Sequence, residues 1–371
     1  MSPRARVLIV DDSRIFRAAL EASLTGQEHL EIVGSVFSGQ KALEFLQTTT
    51  PDVITLDVEM PGMNGLETLR AIQRSNAARA PGPEIGVIMV SAHTRRGADV
   101  TIQAMREGAF DFVAKPSGPC LDANREQLRR ELVGKIDQFL GSRRRAGRRL
   151  AAAEPPATTP PRTPERRRQW SQTAPGRAVR AVVIAASTGG PKALEIVLPA
   201  LHAQTSLPLL VVQHMPPGFT RSLAESLARV SGGTVVEACE GCPVDRRTTY
   251  IAPGGKHLLL RKDQGRLVTG LNEQPPENGC RPSADVLFRS AAAELHGNLV
   301  AVILTGMGRD GTAGLGAIQR AGGYTLVQDE ATSVVWGMPG SAVEAGVVDE
   351  IVPLEAIAGA VAQLVTGAGT G

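Results

Sequence analysis

Aromatic side chains are scarce: two Trp, two Tyr and eight Phe make up 3% of the chain. Proteins that hold single-stranded nucleic acid stack its bases on aromatic rings, so this composition disfavours that class. Cysteine is scarce too, with Cys120, Cys239, Cys242 and Cys280 as the whole set. Thiols so sparse make no disulfide framework, and they suit a reducing compartment. No apolar run approaches the roughly 18 residues of a membrane span, and the opening MSPRARVLIVDDS meets acids too soon for a secretory signal. These absences point to a cytoplasmic chain with no membrane insertion.

What is present is globular material: 371 residues, 42% hydrophobic and 21% charged, enough for two or three domains with cores of Val, Leu, Ile and Ala. The formal net charge of +3 conceals an asymmetry, because eleven arginines and only two glutamates fall between Arg143 and Arg180. That segment is rich in Pro and Thr and poor in aliphatic residues, so it cannot build a core alone. It reads as an interdomain linker over 141–177, separating a domain at 1–140 from one at 178–371. A basic DNA-binding arm is the alternative reading of the same charges.

Before the linker, strand-like runs (VLIVDD, LEIVGSV, DVITLD, IGVIMVS, FDFVAK) alternate with amphipathic stretches such as SRIFRAALEASL and GLETLRAIQRS. After it the same grammar returns in AVVIAAS, PLLVVQH, NLVAVILTG and YTLVQD. The alternation predicts two α/β domains, each a doubly wound and mainly parallel sheet. The stretch YIAPGGKHLLLRKDQGRLVTGL alternates around Gly-containing turns and predicts antiparallel pairing at one edge of the second domain.

In the first domain Asp11 and Asp12 end the first strand and Asp57 ends the third. Strand ends of an open α/β sheet converge on one crevice, and acids crowded there call for a hard cation such as Mg²⁺. Ser91 and Lys115, at two further strand ends, add a hydroxyl and an ammonium, so the set suits a phosphoryl group carried on Asp57. With VDDS, LDVEMPGMNGLE and FVAKP in this order, the segment from Arg6 to about Leu140 resembles a two-component receiver domain, of flavodoxin-like fold. The resemblance implies phosphorylation of Asp57 by a sensor histidine kinase, Mg²⁺ held by Asp11, Asp12 and Asp57, contacts from Ser91 and Lys115, and Phe112 as the switch aromatic.

In the second domain Ser187 lies between AVVIAA and TGGP, at a strand end beside a helix start, where backbone N–H groups welcome an anion or an oxyanion. Such a serine needs a base. His214 closes the apolar run LPLLVVQHMP and lands on the same edge, whereas His257 in GGKHLLL reads as a partly exposed strand residue. Asp310, in the glycine-rich loop of VAVILTGMGRDGTAG, is the acid that would orient the imidazole. The order Ser, His, Asp and the absence of G-x-S-x-G disfavour an ordinary lipase-like fold. GMGRDG, with Asp329 further on, also satisfies a dinucleotide fingerprint, but Asp310 would repel a pyrophosphate at that helix start. C-E-G-C at Cys239–Cys242 lacks a second pair for zinc and does not open a helix as redox motifs do.

AASTGGP, VVQHMPPGFTRSLAE, YIAPGGKH, RPSADVLFRSAA and LTGMGRDG together resemble the catalytic domain of chemotaxis protein-glutamate methylesterases, whose architecture is receiver, linker and esterase. The resemblance runs from about Ala178 to Leu364 and implies a Rossmann-like esterase domain. It implies Ser187 as nucleophile, His214 as base, Asp310 as its orienter, and the amides of Thr188 and Met307 as oxyanion donors. It implies a methylated chemoreceptor as substrate, deamidation of receptor glutamines as a second activity, and no cofactor for the ester chemistry. The unphosphorylated receiver is then expected to cover the esterase cleft. Two positions depart from the family: Cys280 stands where His is common before R-P-S, and Arg309 where a smaller polar residue or Lys is usual.

Overall fold

A computed structural model describes residues 4–79, 82, 84–116, 120–151 and 178–367. The chain divides into two compact units, Met1–Glu154 and Pro155–Gly371. Most of the segment read as a linker or basic arm, residues 152–177, lies outside the described residues.

The first unit is built from β1 (Ala5–Val10), α1 (Arg14–Leu24), β2 (Leu30–Val36), α2 (Gly39–Leu46), β3 (Val53–Asp57), α3 (Gly65–Arg79), β4 (Gly86–Ser91), α4 (Arg95–Arg106), β5 (Asp111–Ala114) and α5 (Leu121–Ala151). Its sheet is parallel in the order β2-β1-β3-β4-β5. Every residue of β3 and β4 is buried, as continuous apolar runs must be when helices cover both faces. Ser13, Ser38 and Thr94 cap the starts of α1, α2 and α4 with their side-chain oxygens. The helix α5 extends past the expected domain end at 140. Leu128, Leu132, Ile136 and Phe139 seat one face on the core, and Arg143 then pairs with Asp52. Arginine is a good helix former, and no proline interrupts the run before Pro155, so the helix continues into the basic segment.

The second unit comprises β6 (Ala181–Ala186), α6 (Gly190–Gln204), β7 (Leu209–Gln213), α7 (Phe219–Ala228), β8 (Thr234–Glu237), β9 (Thr248–Ile251), β10 (His257–Asp263), β11 (Arg266–Asn272) and α8 (Ala284–Leu295). It continues through β12 (Leu299–Ile303), α9 (Thr312–Arg320), β13 (Tyr324–Gln328), α10 (Met338–Glu344), β14 (Glu350–Val352) and α11 (Ile357–Gly367). The main sheet is parallel in the order β14-β13-β12-β6-β7-β9-β8. The antiparallel pairing expected for the 250–271 stretch joins β10 to β11, in a small sheet of its own and not at an edge of the main sheet. Gln264 and Gly265 make that turn at φ +46 and +82°, the double left-handed geometry that matches the twist of a hairpin. Leu258 and Leu260 of the hairpin pack with Leu287 and Phe288 of α8 in one core.

Both sheets reverse direction of winding at a defined place. In the first, the chain moves outward from β1 to β2 and returns to β3; in the second, it moves outward from β6 through β7 and β9 and returns to β12. The loops after β1 and β3, and those after β6 and β12, therefore part from each other and open a crevice at the carboxyl ends of the strands. No helix among the described residues is long and apolar enough to cross a membrane.

Phe288 is fully buried between α8 and the sheet. Phe288→Ala is expected to destabilise the second unit by about 3–5 kcal/mol, measured from its denaturant unfolding transition. A loss below about 1 kcal/mol would mean that the core collapses onto the cavity.

Candidate active site

Strand register brings Ser187 and His214 together. Ala186 is paired with Gln213 across β6 and β7, so the next residue of each strand emerges side by side. The His214 N–H donates to Ala186 O and the Ser187 N–H donates to Thr305 O, each at 3.0 Å, tying the two loops to β12 as well. Buried Gln213 adds a clamp: its Nε2 donates to Ser187 O at 2.9 Å and to His214 O at 3.3 Å. The amide oxygen of Gln213 lies over Gly190, where a Cβ would stand 1.9 Å from it. The neighbouring Gly189 turns into α6 at φ +79°. These two requirements explain the paired glycines after Ser187.

Asp310 completes the line. His214 Nε2 lies 2.8 Å from Asp310 Oδ2, and the carboxylate is 2% exposed. Ser283 Oγ donates to Asp310 at 2.7 Å, Asn278 Nδ2 at 3.1 Å and the Ala284 N–H at 2.6 Å. Ser283 and Ala284 begin α8, so the carboxylate sits at the positive end of a helix. Burial pushes the Asp310 carboxyl up, but His214, Ser283 and the Ala284 amide outweigh it and hold the group below the usual carboxylate range. For His214 burial works against the charged ring. The Asp310 carboxylate and the Cys280 sulfur overcome it and push the imidazole up to about 10.

His214 Nδ1 faces Cys280 Sγ at 3.7 Å, and no hydrogen bond joins Ser187 Oγ to His214 among the described residues. Catalytic bonds of this kind are often long without substrate and tighten when it binds. Thr188 is buried and its carbonyl accepts from Thr305 Oγ1 at 3.0 Å. Met307 is exposed, and its loop is pinned by the Gly337 and Met338 N–H groups, which both donate to Gly306 O. A Cβ on Gly306 would stand 2.8 Å from that of Ser187, so the Met307 loop runs against the serine.

Other sequence signals resolve differently. Asp329, the acid of the dinucleotide fingerprint, accepts from the Thr332 N–H and Oγ1 and closes its own turn. His257 is 1% exposed, not partly exposed as expected: its Nδ1 accepts from the Ser283 N–H, and its Nε2 bonds Pro275 O. Cys239 and Cys242 form a disulfide, although the sequence suggested free thiols. Their Cα atoms lie 5.7 Å apart across one turn, within the reach of such a bond.

In the first unit Asp11, Asp12 and Asp57 have carboxylate oxygens within 4.8 Å of one another. Lys115 Nζ bridges Asp11 at 2.9 Å and Asp57 at 2.8 Å, and it stands 4.6 Å over the Phe16 ring. Burial pushes the Asp57 carboxyl up to about 6 despite that lysine. One ammonium for three acids leaves a deficit of positive charge, which suits a hard divalent cation bound by oxygen. Ser91 is fully buried at the end of β4, and Phe112 is buried on β5 with Lys135 Nζ 5.6 Å from its ring.

Residues 182–361 match the CheB methylesterase family and residues 7–121 match the response regulator receiver domain. A protein of Geobacillus kaustophilus named protein-glutamate methylesterase/protein-glutamine glutaminase is 45% identical over 97% of this chain and 98% of its own. The chain belongs to that family. A relative of the same name from Pyrococcus horikoshii is 41% identical over 96% of this chain and 92% of its own. The crystal structure of the Thermotoga maritima CheB methylesterase catalytic domain is 41% identical, covers 50% of this chain and 99% of its own, and gives a TM-score of 0.49.

Sequence reasoning passed over the groups that hold Ser187, His214 and Asp310 in place: Gln213, Asn278, Ser283 and the amide of Ala284. Ser283 precedes an apolar helical run in RPSADVLF, a helix-start signal that could have marked an anion seat. Gln213 carries no such mark, because a glutamine before a strand-end histidine is unremarkable until the strands are paired. Removing the Asp310 charge leaves burial, which lowers the His214 pKa, opposed by the Cys280 sulfur alone. Asp310→Asn is therefore expected to lower the His214 pKa from about 10, read from the imidazole proton shifts in an NMR titration. An unchanged midpoint would remove Asp310 as its partner.

Proposed function

We propose that this chain is a cytoplasmic, phosphorylation-activated hydrolase that removes methyl esters from glutamyl side chains of chemoreceptors and deamidates receptor glutamines by the same route. The observation that carries the reading is the Ser187 to His214 adjacency fixed by strand register, with Asp310 bonded to the far nitrogen of the ring. Nε2 is committed to Asp310, so Nδ1 is the nitrogen that takes the Ser187 proton as Oγ attacks the ester carbonyl. The oxyanion is received by the amides of Thr188 and Met307. His214 returns the proton to methanol as the acyl-enzyme forms, and water, activated by the same ring, releases the glutamate. A glutamine follows the same path with ammonia as leaving group. The raised pKa makes neutral His214 a strong acceptor while shrinking its neutral fraction at pH 7, so kcat/KM is expected to climb with pH through neutrality.

In the proposal Asp57 accepts a phosphoryl group from a sensor histidine kinase. Asp11, Asp12 and Asp57 would hold Mg²⁺, which when bound would supply the positive charge that lets phosphoryl oxygens approach these acids. Lys115 is the permanent cation of the pocket, Ser91 is the hydroxyl available to the phosphoryl group, and Phe112 is the aromatic that answers it. The unphosphorylated first unit restrains the esterase, and phosphorylation lifts the restraint. Moving a 99:1 balance to 1:99 needs roughly 5.5 kcal/mol, a scale a domain switch can supply.

The deciding experiment is methanol release from a methylated chemoreceptor fragment by the full chain, with and without a small-molecule phosphodonor and Mg²⁺. Release that rises with the donor is the expected result. Ser187→Ala should lower the rate about 10⁴-fold or more, and Asp57→Asn should abolish the response to donor while keeping the basal rate. Near-normal turnover by Ser187→Ala would discard the mechanism.

A further inference from the structure

We infer that Cys280 is a second nucleophile on the same base, a thiol that hydroperoxides and alkylating electrophiles modify and whose modification stops the esterase. The consequence for catalysis rests on the function proposed above; the reactivity of the thiol does not. Cys280 Sγ lies 3.7 Å from His214 Nδ1, and His214 Nε2 lies 2.8 Å from Asp310. Nucleophile, base and orienting acid thus stand in line with sulfur at the nucleophile position, the arrangement that activates a thiol.

The aim of the sulfur is built into the backbone. Glu277 and Cys280 exchange both N–H···O bonds, at 3.1 and 2.9 Å, around a turn whose central residues Asn278 and Gly279 have φ +52 and +76°. Asn278 Nδ2 anchors the tip of the turn by donating to both Asp285 and Asp310. The turn therefore hangs from the same carboxylate that orients the base. Cys280 is only partly buried, so reagents reach it. The remaining cysteines differ: Cys239 and Cys242 are bonded to each other, and Cys120 is exposed with no imidazole against it among the described residues. The atoms of His214, Cys280 and Asp310 also lie within 4.8 Å of one another. A cation among them would have to break the bonds that hold Asp310, so chemistry at sulfur is the reading the contacts favour.

With a hydroperoxide, the sulfur attacks the O–O bond. An S–O bond forms, and the thiol proton passes through His214 Nδ1 to the departing oxygen, which leaves as water or an alcohol. Sulfur is oxidised by two electrons to a sulfenic acid, and the peroxide is reduced. With iodoacetamide an S–C bond forms, iodide leaves and the proton goes to solvent by the same nitrogen. Either adduct lies against Nδ1, the atom Ser187 needs.

The test uses the full chain and iodoacetamide, with mass spectrometry reading the alkylation of Cys280 and Cys120 in the same sample. Cys280 is expected to react at least tenfold faster than Cys120 although Cys120 is the more exposed. His214→Gln and, independently, Asp310→Asn should each remove most of that advantage, while Ser187→Ala should keep it. Hydrogen peroxide should lower ester hydrolysis tenfold or more, with recovery after dithiothreitol. Cys280→Ser, which retains the Cys239–Cys242 pair, should keep the rate it had before treatment. Cys280 reacting no faster than Cys120, or full modification with undiminished hydrolysis, would overturn the inference. Labelling needs no turnover, so an untreated chain that releases no methanol would count against the esterase reading and leave this one standing on its own result.

Discussion

The cleft that holds Ser187 and His214 depends on one buried carboxylate. Asp310 accepts from the first amide of α8, from the serine that begins that helix, from an asparagine on a neighbouring turn and from the imidazole of His214. A buried anion is tolerated only where donors replace its water, and here the helix start is the main replacement. Orientation of the His214 ring and position of the Cys280 turn both follow from satisfying this single charge. The α8 helix in turn is fixed by Leu287 and Phe288 in the core, so hydrophobic packing and active-site electrostatics share one element.

The two units solve different chemical problems with one topological device. Each reverses its winding beside its first strand: Asp11 and Asp57 stand at the two strand ends that part in the first unit, and Ser187 and Asp310 follow the two that part in the second, with His214 at the end of the adjoining β7. They differ in how charge is balanced. In the second unit the carboxylate is oversupplied with donors, and its pKa is held low. In the first unit three acids share Lys115, and burial pushes Asp57 up to about 6. A saturated acid orients a neighbour, while three acids sharing one ammonium keep a net negative charge at the strand ends.

Much of this was legible in the chain. Continuous apolar runs ending in Asp11, Asp57, Ser187 and His214 announce buried parallel strands whose carboxyl ends carry chemistry, because two-sided burial demands that pattern. The glycine pair after Ser187 could be read as a turn. Its second member's role beneath Gln213 could not, since that contact exists only once β6 and β7 are in register. The helix start at Ser283 lies far in sequence from Asp310, and nothing local links them. His257 misled because a histidine in a hairpin is ordinarily half-exposed, whereas here the Ser283 N–H and Pro275 O satisfy both ring nitrogens and permit burial. The disulfide and the extension of α5 were likewise hidden by composition: sparse cysteines suggest free thiols, and a run of arginines suggests solvated coil.

Gln213 has a mechanical meaning beyond its hydrogen bonds. One side-chain amide grips the carbonyls of both Ser187 and His214. Thermal breathing of the sheet edge therefore carries the two loops together as one body. A clamp of this kind couples the backbone of the two loops, so a change in the spacing between serine oxygen and imidazole falls first to the side-chain rotors.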